Sequence, residues 1–144
     1  AQRLRAAAGG GWASWIIPVS DQWNGPLAYL LVFLTRHRDG IWTLNEALSL
    51  AREKHRRLTC GGPELLSEED REITERVQRN LEELLAAKHS VSVNADFPAI
   101  LNGVLGAARQ KHLRAAIKQL FKEGKTDFDG KGELRRAKLT RRLG

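Results

Sequence analysis

The sequence predicts a mainly helical chain with one small β-hairpin near its C-terminus. Three observations predict it. Apolar residues recur at helical spacing through residues 44–57, 67–88 and 109–123. Capping residues and glycines punctuate those stretches. After the last of them, Asp129-Gly130-Lys131-Gly132 separates two short strand-like runs. The 144 residues are 42% apolar and 28% charged, a globular composition able to bury a core without staples.

Taken in order, residues 1–11 (AQRLRAAAGGG) read as a flexible linker, small, basic and ending in glycines. Residues 12–63 read as a helical, Trp-rich subdomain and 64–144 as a second domain. Residues 12–25 follow no clean period. Pro18 and Asn24-Gly25 mark turns there, and Trp12, Trp15 and Trp23 pin the segment to a core. Pro26 suits the first position of a helix, so Pro26–Arg38 is predicted as an apolar helix ending near Asp39-Gly40. Ile41-Trp42-Thr43 is short and strand-like. Thr43 or Asn45 can cap a helix over Leu44–Arg57, with Leu44, Ala47, Leu48 and Ala51 on one face. Leu58–Pro63, with Gly61-Gly62, reads as a loop and boundary.

Ser67-Glu68-Glu69-Asp70 reads as a capped helix start, with acids where the dipole favours them. Ile73, Val77, Leu81, Leu84 and Leu85 carry that helix to about Lys88. Ser90–Val93 alternates as a strand does. Asp96 can cap a short helix, Phe97–Leu105, which Gly106 breaks. Arg109–Glu123 places Leu113, Ala116, Ile117, Leu120 and Phe121 on one face, and Gly124 stops it. Lys125–Asp129 and Glu133–Leu139 are the two runs of the hairpin.

Charge is segregated along this order. Residues 1–63 hold 8 basic and 4 acidic residues, 64–95 hold 4 and 8, and 96–144 hold 12 and 5. The net +7 of the whole chain therefore equals that of its last third, as a surface that meets a polyanion requires. Lys111, Arg114, Lys118 and Lys122, at i, i+3, i+7 and i+11, form one basic stripe opposite the apolar face. Lys131, Arg135, Arg136 and Lys138 decorate the hairpin, and Arg141 and Arg142 follow it. Arg52, Lys54, His55, Arg56 and Arg57 form a second cluster, either an extension of that surface or an exposed helix end.

From residue 67, the order helix, short strand, short helix, tight glycine turn, helix, hairpin resembles the winged helix-turn-helix superfamily. The resemblance covers about half of the chain. It rests on element order, the Gly106-Ala107 turn and the placement of charge. It implies Phe97–Leu105 as second helix, Arg109–Glu123 as recognition helix and Lys125–Leu139 as wing. Arg109 and Gln110, at the N-terminal end of that helix, would then read base edges, while the stripe and the wing grip phosphates. An incomplete second copy in residues 26–93 fits worse. Its Leu58–Leu66 turn is too long, it lacks a second wing strand before Phe97, and its reading helix would be acidic.

Catalytic and metal motifs are missing from the sequence. The four histidines show no ligand spacing, and His112 reads as a polar surface residue. No phosphate loop, nucleophile elbow or H-E-x-x-H motif occurs. Asp127-Phe128-Asp129-Gly130 lacks the further acids of a calcium loop. Cys60, the one cysteine, permits no internal disulfide and no multi-cysteine zinc site, which points to an intracellular chain. The apolar run Leu27–Leu34 is too short to span a bilayer, and no secretory signal is visible. The absence of methionine, even at position 1, points to an excised domain or a processed product.

The expectation is thus a non-enzymatic module without cofactor or metal. It binds double-stranded DNA in replication, transfer, partition or transcription. Single-stranded RNA is disfavoured because the basic region holds only Phe97, Phe121 and Phe128 for stacking. The alternative is a docking domain of a larger enzyme. Trp12, Trp15, Trp23, Tyr29, Phe33 and Trp42 all fall in the first 42 residues, so residues 12–45 are expected to meet a second copy or a parent domain.

Overall fold

The computed structural model describes residues 13–20, 25–59 and 63–142. The linker at 1–11, Trp12, Trp23, Cys60 and Gly61-Gly62 lie outside them. The elements are β1 (Ala13–Ser20), β2 (Leu27–Thr35), α1 (Arg38–Thr59), α2 (Pro63–Ala87), β3 (Ser90–Ser92), α3 (Phe97–Ile100), α4 (Gln110–Lys122) and β4 (Lys138–Thr140). A single 3-10 turn, Leu134–Arg136, precedes β4. Helix predominates, and the strands form two small antiparallel pairs. None of the described helices is long and apolar enough to cross a membrane.

The N-terminal part departs from its sequence reading. Pro26–Arg38 is not a helix. Leu27–Thr35 is a strand paired with Ala13–Ser20, from Ala13 opposite Thr35 to Ser20 opposite Leu27. An uninterrupted apolar run does not distinguish strand from helix by period, and here the partner strand decides. Ile41–Thr43 is not a strand either, because it lies in the first turns of α1. Gly40 lies in the first turn of that helix instead of ending the previous element. A Cβ at Gly40 would overlap the Thr35 hydroxyl, which accepts the His37 N–H at 3.1 Å and turns the chain into α1. The buried face of α1 is also shifted. Ile41, Trp42, Leu44, Asn45, Ser49 and Arg56 are buried, while Ala47 and Ala51 are exposed. The helix expected from Ser67 starts at Pro63, a residue suited to the first position, so Glu69 and Asp70 fall beyond the first turn.

One core joins the two expected domains. Ile41 and Trp42 of α1 pack with Val77 and Leu81 of α2, Phe97 and Ile100 of α3, Leu113, Ile117 and Leu120 of α4, and Leu139 of β4. Trp42 stacks on Phe97 with ring centroids 4.1 Å apart. The boundary expected at residue 63 therefore separates helices but not cores.

The segment ahead of α4 is held by two buried asparagines. α3 ends at Ile100, shorter than expected, and turns run from 101 to 107. Asn45 of α1 accepts the Gly106 N–H at 2.7 Å and donates to the Ala108 carbonyl at 2.8 Å. Asn80 of α2 donates to the carbonyls of Ile100 and Asn102 at 2.8 and 2.9 Å. Asn45 is thus a mid-helix clamp, not a cap. Gly106 has φ +79° and touches Leu48 where a Cβ would stand, so a side chain there is strained. Asn45→Ala strands one buried donor and one buried acceptor and is expected to cost about 2–4 kcal/mol. A lowered urea midpoint with an unchanged slope is the expected measurement.

The C-terminal part follows its sequence reading more closely. α4 closes as expected at Gly124 (φ +71°), whose N–H reaches Phe121 O while Lys125 N–H reaches Leu120 O. Beyond it, residues 138–142 run between two segments. Ser90–Ser92 pairs with Lys138–Thr140 on one side, and Thr126 bridges Arg141 on the other. Asp127 accepts the Thr140 N–H at 2.7 Å, and Asp129 accepts the Lys131 N–H at 2.9 Å, so both acids of the turn serve the hairpin. Lys125–Asp129 is not a strand and meets the return only at the Thr126–Arg141 bridge, and the return strand is Lys138–Thr140, paired with β3, because Leu134–Arg136 coils to bury Leu134 in the core.

Candidate nucleic-acid interface

α4 is apolar behind and basic in front. Leu113, Ala116, Ile117 and Leu120 are buried, as their spacing requires. Gln110, Lys111, Lys118 and Lys122 are exposed on the opposite side, and no acidic residue occurs from 110 to 122. Lys118 and Lys122 form no ion pair among the described residues. Lys111 pairs with Asp70 of α2.

The other two members of the expected set do different work. Arg114 is half-buried and donates to the carbonyls of Gly130 and Gly132 at 2.6 and 2.9 Å. It braces the hairpin turn against α4, where Gly130 sits within contact of Ile117. Arg109 is the residue before α4, and its guanidinium pairs with Glu53 of α1. It points back into the helix junction, away from the stripe, so its expected base-reading position is not the one observed.

The hairpin residues divide likewise. Lys131 and Arg136 pair with Asp129 and Glu133 on their own turn, both at 3.2 Å, and stay exposed. Arg135 lies over the Trp42 ring at 5.1 Å, and Arg142 lies over Phe121 at 5.0 Å. Arg142 thereby joins the end of the hairpin to the C-terminal half of α4. Lys138 and Arg141 are exposed.

His112 is the residue that sequence reading missed. It is 3% exposed, not a surface group. Its Nδ1 accepts the Arg109 N–H at 2.9 Å, closing the start of α4, and its Nε2 lies 2.9 Å from Asp70 Oδ1. The first bond requires Nδ1 to be unprotonated, so the proton sits on Nε2 and is donated to Asp70. Its signal is positional: residue 112 is the third of the helix, where a side chain reaches back to the cap. Burial pushes the imidazole below its ordinary range, against the opposing pull of Asp70. Burial would raise Asp70, but hydrogen bonds from Lys111 and His112 outweigh it and hold that carboxyl below its ordinary range.

His112 makes stability depend on pH. The unfolded imidazole takes its proton first as pH falls, so the stability is full above about 6.5 and drains away below it. His112→Gln, which keeps an acceptor for the Arg109 N–H, should flatten this loss between about pH 7 and 5 in urea melts.

Arg52, Arg56 and Arg57 do not extend the basic surface. Arg52 and Arg56 pair with Glu69 of α2, and Arg57 pairs with Glu53 at 2.5 Å. Together with Arg109, Lys111 and Asp70 they line a polar cleft of about 310 Å³ between α1, α2 and the start of α4. Within the acidic middle Glu69 thus meets Arg52 and Arg56 of α1 while Asp70 meets Lys111, and on the front of α4 Lys118 and Lys122 remain without an ion pair among the described residues. Among the described residues no group of three or more His, Cys, Asp or Glu could hold a metal ion. No protein family, curated protein or solved structure significantly matches the chain.

Proposed function

We propose that the chain is a non-enzymatic module that binds double-stranded DNA in the manner of winged helix-turn-helix domains. One observation carries the reading: α4 exposes Gln110, Lys111, Lys118 and Lys122 with no acidic residue from 110 to 122, and Arg142, after the hairpin, lies over Phe121 of the same helix. A helix with a packed back and a cationic front suits the major groove. The ladder order of β3, β4 and residues 125–127, with α4 just before the hairpin, supports the same class.

Lys118, Lys122, Lys138, Arg141 and Arg142 contact phosphates in this reading. Gln110 is left as the base reader, and Lys111 exchanges Asp70 for phosphate. Lys131, Arg135 and Arg136 on the turn reach the backbone beside the groove, and Arg114 braces the turn. Such a module serves replication, transfer, partition or transcription inside the cell. Anisotropy titrations with labelled duplex DNA across a salt series test it. Binding whose log K falls linearly with log salt is expected, with duplex RNA and single strands competing poorly. Absence of duplex binding at low salt overturns the reading.

A further inference from the structure

The β1–β2 hairpin leaves the most apolar surface of the molecule in solvent. Ile16, Leu27, Tyr29, Leu30 and Leu31 are each 45–58% exposed. The register sets Trp15, Ile17, Leu31 and Phe33 on one face, and Ile16, Pro18, Leu30 and Val32 on the other. Trp15, Ile17 and Phe33 pack against the core, so the second face turns away from it. A strand apolar on both faces is one that is covered on both.

The two edges of this hairpin differ. β1 carries Pro18 and a register shift at Val19/Ser20, both of which oppose further pairing. Among the described residues β2 pairs with β1 alone, and Leu27–Thr35 contains no charge and no proline. Its outer edge therefore lacks the devices that keep edge strands apart.

Charge selects the occupant. The chain carries +7, yet residues 13–20 and 25–35 hold no charged side chain at all. Two copies that meet here bring uncharged strands together and keep their cations out of the seam. Four of the five half-exposed side chains, Leu27, Tyr29, Leu30 and Leu31, lie on β2 itself, so a strand laid along its edge packs beside them.

We propose that β2 pairs antiparallel with β2 of a second copy across a two-fold axis near Leu31. The product is a four-stranded sheet with each β1 on the outside, in which Tyr29 lies opposite Phe33, and Leu30 opposite Val32, of the other copy. This dimer does not rest on the nucleic-acid reading, and its test contains no DNA.

Sedimentation of the full 144-residue chain at micromolar concentrations should show a dimer. Leu30→Lys, at an exposed position, should yield a monomer with an unchanged circular dichroism spectrum. In a Cys60→Ser background, Leu31→Cys should form a disulfide-linked dimer under mild oxidation. Ala115→Cys, exposed on α4, should not. A parental chain that stays monomeric at high micromolar concentration overturns the proposal, whatever else covers the hairpin. A dimer that survives Leu30→Lys, or that fails to cross-link at residue 31, overturns it equally.

Discussion

Alanine at Lys111, Lys118 and Lys122 together should weaken duplex binding by about two to three orders of magnitude at about 0.1 M salt. Each lysine displaced from a phosphate returns roughly one counterion, so the slope of log K against log salt should shrink by about three. The loss should be uniform across sequences, because phosphates carry no sequence information. Arg114→Ala provides the contrast. Its guanidinium is spent on Gly130 and Gly132, so its removal should free the hairpin turn and speed tryptic cleavage after Lys131, while changing the salt slope little. A triple variant with parental affinity and slope would remove α4 from the interface.

Trp42→Ala should produce the largest loss of stability, about 3–5 kcal/mol. Trp42 is 1% exposed, stacks on Phe97 and supports Arg135 on its other side. Its removal empties the meeting point of α1, α3 and the hairpin turn. For a chain of this size the expected fall in Tm is roughly 10–20 °C by calorimetry. Trp42→Phe should cost far less, since the stacking partner remains and the indole Nε1 finds no acceptor among the described residues. Similar losses for the two variants would contradict the packing described.

What the sequence made legible was whatever depends on near neighbours. α4 carries its own amphipathic period and its own glycine stop, and both appear where expected, while of its basic stripe Lys111, Lys118 and Lys122 are exposed and Arg114 is turned to the hairpin carbonyls. The β1–β2 hairpin was hidden because its identity depends on pairing, and the leucine-rich run at 27–34 fits either period. The polar interior was hidden for a related reason. Asn45 meets residues 106 and 108, Asn80 meets 100 and 102, and Arg56 meets Glu69. Nothing local marks those side chains as buried, and only the assembled helices show why a polar residue is placed there. The charge of the middle segment was legible as a number but not as a partner. Its acids were visible, but not the cations of α1 that they meet.

The amide clamps of Asn45 and Asn80 tie the segment before α4 to two separate helices. Moving the segment that leads into α4 strains four hydrogen bonds, three of them buried. A probe of that rigidity gives up little conformational freedom when it lands, so almost none of the interaction free energy goes into ordering it. The adjustment is left to the duplex. On the proposed reading, sites would then be chosen partly by how easily they bend or widen to fit a fixed shape, with pliable pyrimidine–purine steps favoured even where no side chain reaches a base.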